Sequence, residues 1–247
     1  MEYIVEGTLS AKAVIEAKRR PVSKVLINKS KKSRDIDYLI RIARSNKIVV
    51  EFVNETEIEK HVEGKTHGGV IAFVGKRTYQ QLETLLESPK PFIAILEGIE
   101  DPFNFGYCLR SLYASGCDGV IVSKRNWTTV VDVVTKSSAG ASEFINIYES
   151  QDLPATIIQL KAAGLTVYGA NRKEAKSLYE TKFNDKLVVA IGGEKRGLSS
   201  KVARLCDYNI YIPYANDFRN AINGSSATSI ISFEIFRQRG ALSETKS

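Results

Sequence analysis

The chain has 247 residues, of which 43% are hydrophobic and 26% charged, and this composition is typical of a globular protein with a substantial buried core. No apolar run approaches the roughly 20 residues that a membrane-spanning helix needs, and the acidic start MEYIVEGTLSAK does not resemble a secretory signal. Cys108, Cys117 and Cys206 are widely spaced, which argues against a disulfide framework or a zinc site and predicts a reducing, cytoplasmic location.

The net charge of +7 is unevenly distributed along the chain. Residues 1–77 carry 16 basic and 10 acidic side chains, whereas residues 78–247 carry 19 and 18. Segment 18–34, KRRPVSKVLINKSKKSR, holds eight basic residues and no acidic one. Such a run is either an ordinary solvated face or a phosphate-binding surface, because clustered Lys and Arg displace counterions from a polyanion. This contrast in net charge indicates that the two parts have different functions.

The first 77 residues alternate between helical and strand patterns, which predicts a small α/β module. Asn54, followed by Glu57 three residues later, is a helix-capping signal. Residues 76–91, closed by two prolines, are expected to form a helical or linker segment. The expected strands are 24–28, 48–53 and 68–75, and the expected helices are 11–20, 36–46 and 54–62.

The remaining chain is a sustained alternation of Val- and Ile-rich strands with helical segments. Continuous apolar strands separated by helices indicate a mostly parallel sheet that is covered on both faces. We therefore expect an α/β fold with a small N-terminal module and a C-terminal parallel-sheet domain. The expected strands are 92–98, 119–123, 143–148, 165–171, 187–194 and 208–213. The expected helices are 105–115, 128–137, 152–163, 199–205 and 225–238.

Three loops that follow these strands carry unusual residues: EGIEDPFNFGYCLR, GGEKRGLSS and YANDFRNAINGSSA. Ligands bind at the carboxyl ends of the strands in sheets of this kind. No loop has the GxGxxG spacing of a dinucleotide site or the GxxxxGK[ST] spacing of a P-loop. Both histidines, His61 and His67, lie in the first module, which argues against Ser–His catalysis and His-rich metal sites in the sheet domain. The charged candidates in the loops are Asp101, Arg110, Glu194, Lys195, Arg196, Asp217 and Arg219.

The motifs DPFNFGYCLRS, IGGEKRGLS with the later IP, and NGSSA resemble, in order and spacing, the three motifs of the SpoU/TrmH family of RNA ribose methyltransferases. The stretch KSSAGASE (136–143) also matches a family stretch, and the module ending in THGGVIAFV resembles the substrate-binding domain of many members. Gly224 and Ser226 replace the usual valines of the third motif, and the loop before it is slightly longer than usual. These departures bear on substrate recognition more than on the reaction class.

The resemblance implies S-adenosylmethionine as methyl donor, no metal, a homodimer, and a deep trefoil knot in the catalytic domain. The residue pattern alone would have predicted an ordinary doubly wound sheet, because knots are rare. The resemblance divides the chain into an RNA-binding domain at 1–77, a linker at 78–90 and a catalytic domain at 91–247. The implied donor-binding residues are Gly192, Gly193, Ile212, Ile222 and Ser226. The basic run would bind RNA through Arg19, Arg20, Lys24, Lys31, Lys32 and Arg34.

The catalytic residues that the motifs imply are Arg110, Asn104, Glu194, Asn223 and Ser225. Several have a simpler interpretation. Asn104 can be a turn residue, Glu194 a carboxylate at a helix start, and Ser225 a helix cap. Arg110 can form a buried salt bridge with Asp101 or Glu194. Both kinds of role can hold for the residues at the start of the last helix.

The resemblance makes Arg110 the activator of the ribose hydroxyl. Methyl transfer from a sulfonium to a hydroxyl is an in-line displacement that needs alignment of the acceptor oxygen and removal of its proton. Arginine is a poor base, because a guanidinium keeps its proton in nearly all proteins. Two accounts remain open: a perturbed Arg110 takes the proton, or a charged Arg110 holds the phosphate and stabilises the developing alkoxide. The second is favoured on physical grounds.

We expect an enzyme that methylates ribose 2′-hydroxyls in ribosomal RNA. The alternatives are a transfer RNA ribose methyltransferase, an enzyme that methylates a base nitrogen, and a non-catalytic RNA-binding protein that keeps the fold. A pure binder needs none of the combined catalytic residues, which argues against it. Among the aromatic residues, Trp127 and Tyr113 can stack on a base, although core or dimer packing is the simpler role.

Overall fold

The computed structural model describes residues 2–124, 130–193 and 196–240. Its helices and strands, in chain order, are β1 (Tyr3–Glu6), α1 (Thr8–Ala17), β2 (Val22–Asn28), α2 (Arg34–Ser45), β3 (Val49–Val53), α3 (Glu55–Glu59), β4 (Val70–Val74), β5 (Phe92–Glu97), α4 (Pro102–Ala114), β6 (Gly119–Ser123), α5 (Val131–Ser137), α6 (Ala141–Phe144), β7 (Ile147–Ser150), α7 (Leu153–Ala162), β8 (Thr166–Ala170), β9 (Ala175–Ser177), β10 (Leu187–Gly192), α8 (Ser200–Ala203), β11 (Tyr208–Tyr211) and α9 (Gly224–Gln238). Short 3₁₀ helices lie at Leu82–Leu86 and Leu178–Glu180.

The chain divides into two compact units, each with its own sheet. The N-terminal unit contains the described residues of 1–78 and 126–144, and the C-terminal unit contains those of 79–125 and 145–247. The division predicted at residues 77 and 91 stays a prediction. The segment that carries α5 and α6, which that prediction placed in the catalytic domain, packs with the N-terminal unit.

The N-terminal unit is built on a four-stranded sheet in the order β1-β4-β2-β3. Strands β2 and β3 are parallel, and β4 is antiparallel to both β1 and β2. Val25 and Ile27 of β2 point to the face covered by α1 and α2, whereas Leu26 points to the opposite face and packs with Ile58 of α3. This alternation follows from the two-residue period of a strand. Strand β1 was not predicted, because its four residues carry no clear alternating pattern.

The stretch KSSAGASE turns the chain from α5 into α6. Ala139 and Gly140 both adopt positive φ, at 51° and 83°, which reverses the chain within two residues. A Cβ atom added to Gly140 would lie 2.6 Å from the Cβ atom of Ala13 in α1, so only glycine permits this close approach. This stretch, which also matched the family, therefore has a packing role inside the N-terminal unit.

A buried ion network joins α6 to the rest of the N-terminal unit. The Glu143 carboxylate is 1% exposed and accepts hydrogen bonds from Arg20 Nε and Nη2 at 2.9 and 3.0 Å. Arg77 Nη1 lies 3.6 Å from the same carboxylate and donates to the carbonyl of Ser142. Burial pushes the pKa of Glu143 upward, but the hydrogen bonds and charge of Arg20, helped by the charge of Arg77, hold it below its ordinary value.

The C-terminal unit is built on a seven-stranded sheet in the order β7-β6-β5-β10-β8-β11-β9, and every pairing among the described residues is parallel. The central strands β5 and β10 are buried along nearly their whole length, which explains their continuous Val/Ile/Leu character. The predicted α/β class with a parallel sheet is confirmed. The trefoil knot stays a prediction. Among the described residues, no helix has both the length and the apolar character to cross a membrane.

Two local predictions for this sheet differ from the structure. The strand expected at 143–148 is wrong, because Glu143 and Phe144 end helix α6 and the strand begins at Ile147. The residues there are buried, as the apolar pattern predicted. Glu143 is buried because it forms an ion pair with Arg20, and it does not belong to a strand. Strand β9 has three residues at the sheet edge and was not predicted.

The buried network generates a stability prediction. Replacing Glu143 with Gln leaves two arginine charges without their carboxylate partner, so we expect a loss of about 3–5 kcal/mol in unfolding free energy, measured by urea denaturation of the full chain. Because the folded-state pKa of Glu143 is lowered, its contribution is complete above its unfolded pKa of about 4.3 and declines as pH falls below that value. The Glu143→Gln variant should not show this decline in unfolding free energy as the pH falls.

The matched control for this prediction is Glu57→Gln, which removes an exposed carboxylate that binds Lys60 across one helical turn. This change should leave the unfolding midpoint nearly unchanged, because exposed ion pairs are screened by water. Equal shifts of the two variants would contradict the stabilising role of the buried network.

Candidate active site

The carboxyl ends of β5 and β10 lie side by side and hold two of the predicted loops together. Gly193 N–H donates to the Glu97 carbonyl at 2.7 Å, and Gly197 N–H donates to the Gly193 carbonyl at 2.8 Å. The Glu97 carboxylate reaches across to accept the N–H of Ser199 at 2.8 Å. The loop after β10 is thus tied at both its ends to the end of β5.

The backbones of these loops approach so closely that side chains cannot fit between them. A Cβ atom on Gly193 would overlap the carbonyl of Gly98, and one on Gly192 would overlap the backbone of Gly197 and its successor. At Gly224, the first residue of α9, a Cβ atom would lie 3.6 Å from the Gly192 oxygen, in ordinary contact. The three motif loops therefore come together around Gly192, the first through Gly98 and the third through Gly224 at its helical end, as the sequence analysis expected of loops at one end of the sheet.

Asn223 caps helix α9 and organises the residues around it. Its Oδ1 accepts the N–H of Ser226 at 2.7 Å and the hydroxyl of Ser225 at 3.1 Å. The capping role considered for Ser225 therefore belongs to Asn223, while Ser225 is buried behind it. Asn223 is exposed, and its amide nitrogen makes no hydrogen bond within the part of the chain that the structure describes.

Helix α4 brings the first motif beside α9. Its N-cap is Asp101, whose carboxylate accepts the N–H of Asn104 at 2.8 Å. Further along, Cys108 Sγ lies 3.4 Å from the Thr228 hydroxyl, and the Ser111 and Ser229 hydroxyls are 2.7 Å apart. Because residue numbers rise together in both helices, the helices run in the same sense and their N-termini lie at the same end.

Arg110 lies on the exposed face of α4. It makes no hydrogen bond or ion pair with any described residue, and Asp101 instead uses its carboxylate to cap the helix. The salt bridge to Asp101 is therefore absent, whereas Glu194 lies outside the described residues. Side chains of an α-helix point toward its N-terminus. By this rule, the Arg110 side chain extends toward the end of α4 where the loops begin.

Other predicted residues have mixed outcomes. Ile212 is half-buried directly after β11, and the N–H of Ile222 donates to the Tyr214 hydroxyl at 3.0 Å. Tyr113 is 47% exposed, so it is not a core residue of the chain. Trp127, like Glu194 and Lys195, lies outside the described residues. The structure shows one contributor that sequence reasoning missed, Tyr214, whose aromatic character carried no motif signal.

Comparison with known families identifies both units. Residues 91–233 match the SpoU rRNA Methylase family, and residues 4–80 match the domain described as RNA 2′-O ribose methyltransferase substrate binding. The chain belongs to the SpoU/TrmH family of RNA methyltransferases. This confirms the resemblance drawn from the three motifs.

Relatives and solved structures agree with this family. A Staphylococcus aureus protein named as a TrmH family tRNA/rRNA methyltransferase is 32% identical over 229 residues, covering 91% of this chain and 92% of its own length. A Staphylococcus saprophyticus relative of the same name is 31% identical and covers 98% of both chains. The fold is similar to the SpoU methyltransferase AviRb from Streptomyces viridochromogenes, crystallised with AdoMet, with a TM-score of 0.78, 21% identity, and coverage of 96% and 90%.

The basic run of this family member does not form one surface. Strand β2 separates Arg19 and Arg20 at its start from Lys31 and Lys32 past its end, and seven residues of strand span roughly 20 Å. The run thus reaches both ends of the strands of the N-terminal sheet, and among the described residues it is at the second end that a cluster of four exposed cations lies, within 29–34.

Two predicted RNA-binding side chains are engaged elsewhere. Arg20 is 7% exposed and bound to Glu143, so its guanidinium is not offered to an RNA. Lys24 is half-buried, with its ammonium 4.7 Å from the centre of the Phe73 ring. Of the six predicted contacts, Lys31, Lys32 and Arg34 are the exposed ones.

Glu55, Glu59 and His67 of the N-terminal unit form a cluster with spacing that could hold a metal ion, with one ligand atom from each within 4.8 Å of the others. The imidazole geometry argues against this use. His67 Nδ1 accepts the N–H of Gly69 at 3.0 Å, which places the ring proton on Nε2. A neutral histidine in that tautomer has no free lone pair for a metal, so the cluster supplies no metal site.

The close contacts around Gly192 generate a prediction. Gly192→Ala should lower the thermal unfolding midpoint, because overpacking against backbone that cannot move costs about 1–3 kcal/mol or more. Gly224→Ala is the matched control, since its methyl group finds ordinary contact distances at the first position of a helix. Calorimetry of both variants decides the point, and equal midpoints would show that the loops around Gly192 are not held in close contact.

Proposed function

We propose that the chain transfers the methyl group of S-adenosylmethionine to a ribose 2′-hydroxyl in structured RNA. The observation that carries the proposal is the meeting of three glycine-containing loops at Gly192, beside the capped start of α9 and beside α4, whose Arg110 pairs with no described residue. The family is one of RNA methyltransferases, and its matched N-terminal domain is described for RNA 2′-O ribose methyltransferases.

The same loops suit the methyl donor. Gly192 and Gly193 let the loops pack closely enough to form one wall of a site for a bent ligand, and Ile212 and Ile222 offer apolar surface. Ser226 is exposed beside them. Structures of AviRb and of an rRNA methyltransferase from Sinorhizobium meliloti contain AdoMet, and both have this fold. We assign no metal to the reaction, since a neutral thioether leaves without acid assistance.

The residues of this chain have distinct roles in the proposed transfer. Arg110 stays charged, binds the phosphate next to the target ribose and stabilises the oxygen as its proton leaves. The free amide nitrogen of Asn223 donates to the ribose, while its Oδ1 remains committed to the helix cap. Asn104 orients the ribose from the first turn of α4. Glu194 and Ser225 are the remaining two of the five proposed catalytic residues. Ser225 acts by fixing the Asn223 side chain.

We propose ribosomal RNA as the substrate ahead of transfer RNA. The rRNA methyltransferase from Sinorhizobium meliloti aligns with 96% of this chain, with a TM-score of 0.79, 20% identity and coverage of 87% of its own length. The A. aeolicus TrmH/SpoU tRNA modifying enzyme aligns with 62% of this chain, with a TM-score of 0.56 and 21% identity. The resemblance to the rRNA enzyme thus includes the N-terminal unit. Action in the cytoplasm fits three free cysteines.

We also propose that the enzyme is a homodimer whose second copy covers the outer faces of α4 and α9. These helices expose Tyr107, Tyr113 and Phe233, each at 46–47%. Large aromatic side chains are enriched at subunit interfaces, where they bury much area at low entropic cost.

The reaction is tested with purified protein, S-adenosylmethionine and unmodified transcripts of ribosomal RNA and of transfer RNA. Ribose 2′-O-methylation blocks alkaline cleavage at one position, whereas base methylation leaves cleavage intact. Arg110→Lys should lower kcat/KM for RNA about 100-fold, because a point charge does not replace a planar fork. Its affinity for S-adenosylmethionine, measured by calorimetry, should not change.

The matched control is Arg237→Lys, a change in an exposed arginine bound to Glu234 on the last turns of α9. Wild-type turnover in Arg110→Lys would refute both roles considered for that arginine. RNA binding without binding of S-adenosylmethionine would support a non-catalytic RNA-binding protein, and transfer to a base nitrogen would refute the ribose assignment.

The exposed cluster at 29–34 should carry salt-dependent RNA binding. Reversing Lys31, Lys32 and Arg34 to Glu should weaken RNA binding at least tenfold and make the dependence of log K on log salt shallower by about 2–3, because three phosphate contacts are lost. Reversing Lys176, Lys182 and Lys186 gives the same change in net charge on the C-terminal unit. Filter binding over a range of salt compares the two triple variants. Equal losses would show a non-specific effect of net charge.

A further inference from the structure

The N-terminal unit has an opening of about 310 Å³ between the C-terminal ends of α1 and α2 and the start of β2. This volume is at the lower end of the range for small-ligand sites, roughly 300–1,000 Å³. The residues that line it lie between positions 14 and 78, all in this unit. The pocket is at the end of β2 opposite to the cluster at 29–34, so it is separate from that cluster.

The inner walls of this pocket are apolar. Ile15 of α1 is 2% exposed and belongs to the core of the unit, and Val22 and Ile48 are half-buried and pack against that core. Pro21 is exposed at the opening, and its ring is held against Gly75, where an added Cβ atom would lie 2.5 Å from the Pro21 Cγ atom. The face of a planar ring can be buried against this surface of proline and branched aliphatic side chains.

The rim of the pocket is cationic and carries hydrogen-bonding groups. Lys18 and Arg19 lie on it, and none of the described lining residues is acidic. The carbonyl of Arg19 accepts the N–H of Thr78 at 2.7 Å, which closes one side of the rim. The Asn46 amide nitrogen donates to the Ile42 carbonyl at 2.8 Å, while its amide oxygen makes no hydrogen bond within the part of the chain that the structure describes. That oxygen is therefore available as an acceptor at the opening.

Lys18 is placed at the opening by an unusual backbone conformation. It ends α1 in the left-handed region, with φ at 54°, where glycine is the usual residue because a Cβ atom is crowded there. Its side chain is exposed and forms no hydrogen bond or ion pair with any described residue. Arg20, which also lines the pocket, instead binds the buried Glu143. Lys18 thus supplies an unpaired positive charge at a position whose backbone favours glycine.

These features together match the chemistry of a nucleotide. A nucleobase is planar and carries N–H donors along its edge, and the phosphate attached to its sugar is anionic. RNA is the source of nucleotides that the location favours, because the lining residues all lie within residues 4–80, which match the domain described as RNA 2′-O ribose methyltransferase substrate binding. The cluster at 29–34 is roughly 20 Å away along β2, so one RNA can contact both ends of this sheet.

We propose that this pocket binds one unstacked nucleotide of the RNA substrate, with its base against Pro21, Val22 and Ile48 and its phosphate at Lys18. The inference rests on the proposed function. The pocket lies in a different unit from the loops that meet at Gly192, so this contact contributes affinity for RNA and takes no part in methyl transfer.

The test compares Lys18→Gly with Lys47→Gly. Lys47 has the same left-handed backbone, with φ at 59°, is also exposed, and does not line the pocket. Both variants lose one positive charge and gain the glycine that this backbone favours, so neither should lower the thermal midpoint. Filter binding of unmodified ribosomal RNA and transfer RNA transcripts should show about fivefold weaker binding for Lys18→Gly, with a salt slope shallower by about 1, and a change below about twofold for Lys47→Gly.

Val22→Phe tests the apolar wall. The larger side chain fills the pocket and leaves its charges in place, so RNA binding should weaken by about fivefold with an unchanged salt slope. Under saturating S-adenosylmethionine, Lys18→Gly and Val22→Phe should both raise KM for RNA and leave kcat within about twofold of wild type, because the pocket is outside the catalytic unit. If Val22→Phe does not fold, the comparison of the two glycine variants decides.

Three outcomes would contradict one claim or another. Equal RNA affinities of Lys18→Gly and Lys47→Gly would overturn the pocket assignment, as would wild-type affinity in folded Val22→Phe. Calorimetric binding of adenosine or uridine monophosphate that Lys18→Gly abolishes, with RNA affinity unchanged, would overturn the RNA assignment in favour of a free nucleotide. Failure of the wild-type protein to methylate any transcript would refute the proposed function, while the RNA affinities of the variants would still decide whether the pocket holds a nucleotide.

Discussion

The contact between the loops after β5 and β10 is the constraint on which the rest of the catalytic unit depends. Gly193 donates to the Glu97 carbonyl, and its missing side chain allows the Gly98 carbonyl to lie against it. Any larger residue would separate the two loops and move the start of α9 away from Gly192. The positions of Asn223 and of the residues it caps therefore follow from two backbone segments that pack without side chains between them.

Sequence reasoning recovered the elements whose signal is local. The strands β5, β6 and β10 are continuous apolar runs, and their class and order could be predicted because a strand buried on both faces needs such a run. The three motif loops could be placed at one edge of the sheet, because the carboxyl ends of parallel strands share an edge. The start of α9 was also a local signal, although the residue considered there as the cap was Ser225 and the cap is Asn223.

Features that depend on distant partners could not be read from the sequence. Glu143 looks like a strand residue in its own segment, and only Arg20, more than a hundred residues away, explains its burial in a helix. The basic run likewise looked continuous, yet β2 carries its two halves to opposite ends of the strands of a sheet. The stacking of Arg172 on Tyr214 joins two loops that no motif relates. In each case a partner distant in sequence determines what the residue does.

The return of the chain into the N-terminal unit has a consequence for how this protein can be divided. A fragment ending at residue 77 would keep Arg20 and Arg77 but lose the Glu143 carboxylate between them, and it would lose Val131, which packs on the core of that unit. A catalytic fragment starting at residue 91 would carry α5 and α6 with no surface to cover them. The two units have separate sheets, but a cut at residue 77 or 91 would remove part of the packing of the N-terminal unit.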